Sequence, residues 1–247
     1  MRVIVATAAD AQKGYLCALS HQVHEAFVDF LYYDMKPFSW KKMIDWKLQV
    51  ASHYKDDLVI FVDAWDMLFL GTKQELVDKL AGRPITHFTE KLCWPDPEKC
   101  GLYPGISSPW RYVNGTGPAG LGKDIAAAIE EGNAHFPIKE YEVPARLDAK
   151  QDNDQRFWTD VYLSGVGELD SNCHVHQSLV MGQTGDFRIK DGRLYNKVTG
   201  SAPCFVHANG ASAMIGFRHL MDLLSPNCPY PTMPFTAALA KSIDEAK

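Results

Sequence analysis

The segment L-V-I-F-V-D-A-W-D-M-L-F-L, Leu58 to Leu70, decides the fold. Its first five residues, Leu58 to Val62, are apolar without a break. A short run rich in Val, Ile and Phe matches a strand buried on both faces, as at the centre of an α/β sheet. Asp63 and Asp66 follow at once. A buried strand that ends in acids delivers charge to the carboxyl edge of the sheet, where open α/β folds bind ligands. Two carboxylates converging there repel each other unless a cation lies between them, and oxygen ligands favour Mg2+ or Mn2+. The plainer alternative makes one Asp a cap for the next turn and leaves the other in water.

Working outward toward the amino terminus, Ser39 to Tyr54 places Trp40, Met43, Ile44, Leu48, Ala51 and Tyr54 at the spacing of an amphipathic helix, with Ser39 as N-cap. Before it, Glu25 to Tyr33 reads as a strand and residues 10–22 as a helix. Arg2 to Thr7 reads as the first strand, with Thr7 at its carboxyl end. In the other direction, Thr72-Lys73-Gln74-Glu75 is a capping-box pattern opening a helix through Leu80, which Gly82 stops. Ile85 to Thr89 is the next strand. This alternation of strands and helices predicts an α/β fold with a Rossmann-like central sheet flanked by helices.

The second half is less regular. Cys93 to Pro109 is a proline-rich loop, and loops this long inside a compact domain are commonly functional. Arg111 to Asn114 suggests a short strand, and Ile125 to Glu131 a helix. Asp152-Asn153-Asp154-Gln155 precedes a helical R-F-W-T-D-V-Y-L, with Asp152 or Asn153 as N-cap. Gly167 to Val180 has partial β alternation, and Asp186 to Tyr195 reads as a hairpin turning at Asp191-Gly192. Pro203 to His207 is a short strand. Residues 211–224 and 235–246 read as helices on either side of a proline-rich stretch.

At 247 residues, 46% hydrophobic and 22% charged, the chain can bury a substantial core. No linker divides it, which predicts a single domain over residues 1–247 with a peripheral tail from about residue 225. The net charge of -5 leaves no electrostatic footprint for nucleic acid. No apolar run approaches the ~20 residues of a bilayer span, so no transmembrane segment is expected. The opening M-R-V-I-V-A-T-A-A-D meets an acid too soon for a signal peptide. With six scattered cysteines and no C-x-x-C, the expectation is free thiols in a cytoplasmic setting. A Cys93–Cys100 bridge across the proline-rich loop is the alternative.

Further candidate sites stand beside the paired acids. His207-Ala208-Asn209-Gly210 puts an imidazole at a strand end, where it serves as a ligand or as a structural histidine. Asp152 and Asp154 are a second acid pair, for acid–base chemistry or for helix capping. Trp94 in T-E-K-L-C-W-P offers a ring to stack on a sugar or to fill core. Gly115, Gly117 and Gly120 spell G-x-G-x-x-G, with Glu140 farther on, mimicking a dinucleotide fingerprint and an NAD-dependent oxidoreductase. Their mid-chain position, the polar strand before them and Pro118 inside them favour close backbone approach instead.

Taken in order, V-A-T, F-V-D-A-W-D, H-F-T-E-K-L-C-W-P, R-Y-V-N-G-T-G, D-N-D-Q-R-F-W-T and V-H-A-N-G resemble the glycosyltransferase domain of the procollagen lysyl hydroxylases and, more distantly, the collagen glycosyltransferases. The blocks run from Val5 to Gly210. The resemblance implies a GT-A fold, a UDP-sugar donor, Mn2+ with Mg2+ as the alternative, and a hydroxyl acceptor such as peptide hydroxylysine or a glycan. It implies Asp63, Asp66 and His207 as metal ligands, and Thr7 and Trp65 against the uridine, where the family usually carries Tyr in place of Trp65. Asp63, Asn209 and Gly210 would serve the nucleotide sugar. Trp94 and Asn114 would line the sugar or acceptor side, and Asp152 and Asp154 would serve the transfer. Asn153 interrupts the family's acidic run, which keeps a catalytically silent nucleotide-sugar-binding module as the second reading. The sequence shows no oxygenase domain after these blocks, so lysyl hydroxylation is not expected.

Overall fold

The computed structural model describes residues 1–9, 29–35, 38–63, 66–139 and 153–209. The expected helices over 10–22, 211–224 and 235–246, the start of the second strand, Trp65, Asp152 and Gly210 lie outside the described residues.

The buried run forms β3 (Leu58–Phe61), buried at every position. Its side chains alternate between two cores. Val59 and Phe61 enter one cluster, and Leu58, Ile60 and Val62 the other. A strand needed by both layers has no polar face, which is why its sequence shows no alternation.

On either side of it lie β1 (Val3–Ala9) and β8 (Ala119–Leu121). With β2 (Asp29–Asp34), β5 (Thr86–His87) and β9 (Glu168–Leu169) they make a six-stranded sheet in the order β2-β1-β3-β8-β5-β9. The β1–β2, β1–β3 and β5–β9 pairs are parallel, and β8 is antiparallel to both its neighbours. Five strands therefore present their carboxyl ends at one edge, and β8 presents its amino end there.

One face of this sheet is covered by α1 (Trp40–His53), α3 (Gly122–His135) and α4 (Asp154–Leu163) through Ile44, Ala51, Ile125, Ile129, Phe157 and Trp158. The other face is covered by α2 (Lys73–Leu80) through Leu76 and Leu80. A small sheet lies with it: β4 (Met67–Phe69) and β10 (His176–Ser178), with β13 (Phe205–His207) between them. The helix starts are set locally. Ser39 Oγ accepts from Lys42 N, Thr72 and Glu75 complete a reciprocal capping box, and Asn153 Oδ1 accepts from Arg156 N. Asn153 is thus the N-cap of α4.

The hairpin of β11 (Phe187–Lys190) and β12 (Arg193–Asn196) turns at Asp191 and Gly192, both at positive φ (51° and 70°). That is the geometry a two-residue Asp-Gly turn requires.

Two expectations need correcting, and a third, on the glycines, stands. Ile85 to Thr89 is not one strand: β5 joins the large sheet, whereas β6 (Thr89–Glu90) pairs with β7 (Tyr112–Val113), and buried Phe88 lies between them. The cysteines are not all free thiols, because Cys93 and Cys100 are disulfide-bonded across the proline-rich loop; Cys173 and Cys204 are free and buried. The glycine fingerprint does not cradle a dinucleotide. Gly120 lies inside β8, and α3 begins where β8 ends, at the edge opposite the strand carboxyl ends. A Cβ at Gly115 would lie 2.9 Å from Gln155 Cβ, and one at Gly117 3.2 Å from the Phe88 ring. These glycines allow close approach between neighbouring segments, the reading the sequence favours. Among the described residues no helix is long and apolar enough to cross a membrane.

Candidate functional site

The carboxyl edge of the sheet gathers side chains from segments far apart in the chain. Asp63 lies two residues beyond β3, and Asp66 just before β4. β13 runs antiparallel to β4 with His207 paired to Met67, and Ala208 N donates to Asp66 O at 2.8 Å. This register brings His207 Nε2 to 3.2 Å from Asp63 Oδ2 and 3.3 Å from Asp66 Oδ1. One donor atom from each of the three lies within 4.8 Å of the others. The His207 side chain is 1% exposed, against 48% for Asp63 and 20% for Asp66, so the cluster is closed behind and open in front.

The electrostatics of the cluster favour a cation. Burial alone would raise the Asp63 carboxyl, but the neighbouring His207 and the Thr116 hydroxyl outweigh it and hold it below the usual range. Burial alone would lower His207, yet the Asp66 and Asp63 carboxylates raise it. His207 Nε2 is buried without an aligned hydrogen bond to either carboxylate. A buried ring nitrogen directed between two carboxylates, with no hydrogen-bond partner, fits a divalent ion held by two oxygens and one imidazole.

A second group adjoins it. Glu90, at the end of β6, is buried and accepts from Asn114 Nδ2 at 2.6 Å, Asn209 Nδ2 at 2.5 Å and Gln155 Nε2 at 3.1 Å. Burial raises its carboxyl, and those amide donors oppose the shift. Asn114 Oδ1 accepts from Thr116 N at 3.1 Å, and Asn209 Oδ1 from Ser178 Oγ at 2.6 Å. Gln155 Nε2 also lies 2.9 Å from the carbonyls of Trp94 and Val113, which ties the Trp94 loop to α4. Thr116 Oγ1 donates to Asp63 Oδ2 at 2.7 Å and so links this group to the three-residue cluster.

The third group is a buried ion pair. Lys47 Nζ, on the sheet-facing side of α1, lies 3.8 Å from Asp154 Oδ2 and donates to Gly117 O at 3.3 Å. Burial lowers the lysine, opposed by Asp154. Burial also raises Asp154 to about 7, with Lys47 pulling it down and Asp63 pushing it up. Thr7, on β1 beside β3, is buried, and its Oγ1 has no hydrogen-bond partner among the described residues.

The edge therefore brings Asp63, Asp66 and His207 together, and joins Asn114 and Asn209 through Glu90. Trp94 is partly buried, attached through its backbone. Trp65, Asp152 and Gly210 lie outside the described residues. Sequence reasoning missed Lys47, Glu90, Thr116, Gln155 and His176. Lys47 had a visible signal, because it lies four residues from both Met43 and Ala51, inside the apolar stripe of its helix.

The family model for the PLOD GT domain matches residues 41–224. The chain belongs to the PLOD glycosyltransferase-domain family. It is 23% identical over 175 residues to uncharacterized protein R699 of Acanthamoeba polyphaga mimivirus, covering 69% of this chain and 35% of that protein. It is 26% identical over 172 residues to the human multifunctional procollagen lysine hydroxylase and glycosyltransferase LH3, covering 65% of this chain and 21% of LH3. The chain thus spans about a third or less of the length of these relatives. Among solved structures, a glycosyltransferase involved in glycosylation of the major capsid of PBCV-1 shares the fold, with a TM-score of 0.54 and 11% identity over 89% of this chain and 98% of that one. As a PLOD GT domain the chain has a mixed α/β fold, and the site lies at the sheet edge where such folds bind ligands.

Proposed function

We propose that this PLOD GT domain transfers a hexose from a UDP-sugar to a hydroxyl acceptor, with Mn2+, or Mg2+ in its place, held by Asp63, Asp66 and His207. The observation that carries this reading is the convergence of those three donors, with His207 Nε2 buried and lacking a hydrogen-bond partner. A bound divalent ion would offset the charge that develops on the departing diphosphate. Everything else falls to the chain. Thr7 and Trp65 bind the uridine, and the unpartnered Thr7 hydroxyl suits a hydrogen bond to it. Asn209 and Gly210 orient the nucleotide sugar, with Asn209 fixed at both ends by Glu90 and Ser178. Trp94 and Asn114 line the sugar or acceptor side. Asp152 and Asp154 serve the transfer, and Asp154, whose carboxyl burial raises to about 7, is the one suited to exchange a proton near neutral pH. The name of LH3 concerns procollagen lysine; for this chain the acceptor class is a hydroxyl, of peptide hydroxylysine, a glycan or another molecule.

The test is calorimetric titration of UDP and of NAD+, each with and without Mn2+, followed by assay of UDP release from UDP-hexoses. Mn2+-dependent UDP binding with UDP release supports the proposal. Mn2+-dependent binding without hydrolysis or transfer supports the silent-module reading, which the interruption of the acidic run by Asn153 motivates. NAD+ binding in place of UDP overturns both.

A further inference from the structure

His207 can give its Nε2 lone pair to a cation only if the ring proton resides on Nδ1, and a buried Nδ1–H needs an acceptor. Two candidates surround that atom. Thr116 Oγ1 lies 3.1 Å from His207 Nδ1, and His176 Nε2 lies 3.2 Å from it. The single hydroxyl proton of Thr116 is directed to Asp63 Oδ2 at 2.7 Å, which leaves the oxygen lone pairs to accept from His207. Thr116 therefore bridges two members of the donor set. His176 Nε2 could accept that proton only with its own proton on Nδ1, which is buried without a hydrogen-bond partner among the described residues, so Thr116 is the acceptor. His176 is buried and held flat against Phe88, with ring centroids 4.6 Å apart and planes 1° from parallel. Its neighbour relation to His207 is set by strand register, since β10 and β13 are parallel with His176 opposite Phe205 and Ser178 opposite His207. Neither residue belongs to the three donors, and neither faces the open side.

We propose that Thr116 is a positioning residue that fixes His207 in the Nδ1–H tautomer, so that Nε2 is presented to the metal ion beside Asp63 and Asp66. This rests on the metal-site reading above. Outer partners of this kind orient a ligating imidazole, and losing them typically weakens metal affinity about 10–100-fold. The strand β8 contributes by running against the other strands, which delivers Thr116 to the metal edge rather than away from it.

The test titrates the full chain with Mn2+, alone and with UDP, reading free Mn2+ by electron paramagnetic resonance, with folding followed by circular dichroism. Thr116→Val removes the hydroxyl at nearly constant shape, Thr116→Ser restores it, and His176→Phe keeps a ring against Phe88 without its nitrogens. Thr116→Val is expected to weaken Mn2+ binding about tenfold or more, whereas His176→Phe, which keeps the ring against Phe88, should stay within about threefold of the unaltered chain. Thr116→Ser should stay within about threefold of the unaltered chain, a rescue that a packing role would not produce. Loss of binding in His207→Ala with full affinity in Thr116→Val overturns this proposal and leaves the metal site standing. Unchanged binding in His207→Ala and Asp66→Ala overturns the metal site and this proposal together. If Thr116→Val fails to fold, Thr116→Ala decides: full affinity in that variant overturns the tautomer role.

Discussion

Lys47 Nζ lies 3.8 Å from Asp154 Oδ2 in a setting that buries both groups, beneath the edge that gathers Asp63, Asp66 and His207. The phenyl ring of Phe61 and the indole of Trp158 flank the ammonium, with centroids 5.5 and 5.8 Å away. The pair sets the charge state of Asp154. Burial drives its carboxyl up to about 7, and Lys47 is the chief influence in the opposite direction. Lys47→Met therefore raises the Asp154 pKa further and lowers the ionised fraction at neutral pH. An opposite charge at this range is worth about 1–3 pKa units. If transfer needs the carboxylate, the acidic limb of the kcat/KM profile for UDP-sugar turnover moves to higher pH by about that amount. A profile that keeps its acidic limb would remove Asp154 from the proton chemistry.

Asp66→Ala tests the donor set most directly. Its side chain is 20% exposed and holds no hydrogen bond that organises β4, whereas its backbone carbonyl keeps the Ala208 amide. The variant is expected to fold with a melting temperature within a few degrees of the unaltered chain and to lose Mn2+-dependent UDP binding. Calorimetry of UDP with and without Mn2+ reads this, and persistence of the Mn2+ effect would dismiss Asp66 as a ligand.

What the sequence disclosed followed from how local each signal was. Leu58 to Val62 could be read because a strand buried on both faces needs no partner to look apolar, and α1 and α2 could be read because Ser39 and the Thr72–Glu75 box satisfy helix ends within four residues. β4 and β8 escaped because three residues, M-L-F and A-G-L, carry no period. Asp63 and Asp66 announced themselves as a pair, but their relation to His207 depends on the β4–β13 register, which no local pattern encodes. Glu90 stood in the same T-E-K-L-C-W-P stretch as Trp94, and only its burial among three amides distinguishes it from a surface acid. Thr116 was hidden inside the glycine decoy, since its importance comes from β8 reversing direction.

His87 makes stability depend on acid. It is buried against Trp158 and Tyr162, with Nε2 donating to Val166 O at 2.9 Å. Burial lowers it to about 4, only partly opposed by that hydrogen bond. The unfolded value is about 6.5. Between those values the unfolded chain binds a proton that the folded chain refuses, so stability from this group is complete above about 6.5 and falls as pH drops toward 4. The shift corresponds to about 3 kcal/mol. His87→Gln, which can still donate to Val166, should narrow the gap in urea-unfolding free energy between pH 7 and pH 4.5 by a sizeable part of that. An equal gap in both proteins would locate the acid sensitivity elsewhere.

Gly122 sets how closely α3 can approach α1. A Cβ built there would lie 2.5 Å from Ala51 O and 2.8 Å from Tyr54 C, both backbone atoms at the end of α1. Backbone cannot yield as a flexible side chain does. Gly122 N also donates to Asp57 O at 3.0 Å, which anchors the α1–β3 connection to the start of α3. Gly122→Ala should therefore destabilise by about 1–3 kcal/mol despite the better helix propensity of alanine, because overpacking outweighs a propensity gain of about 1 kcal/mol. Gly101 is the matched control, with no heavy atom within 4 Å of its added Cβ. Gly101→Ala should leave the melting temperature nearly unchanged while Gly122→Ala lowers it by several degrees. Equal melting temperatures for the two variants would mean that α1 and α3 have room to separate, and that their spacing does not fix the position of Lys47 under the site.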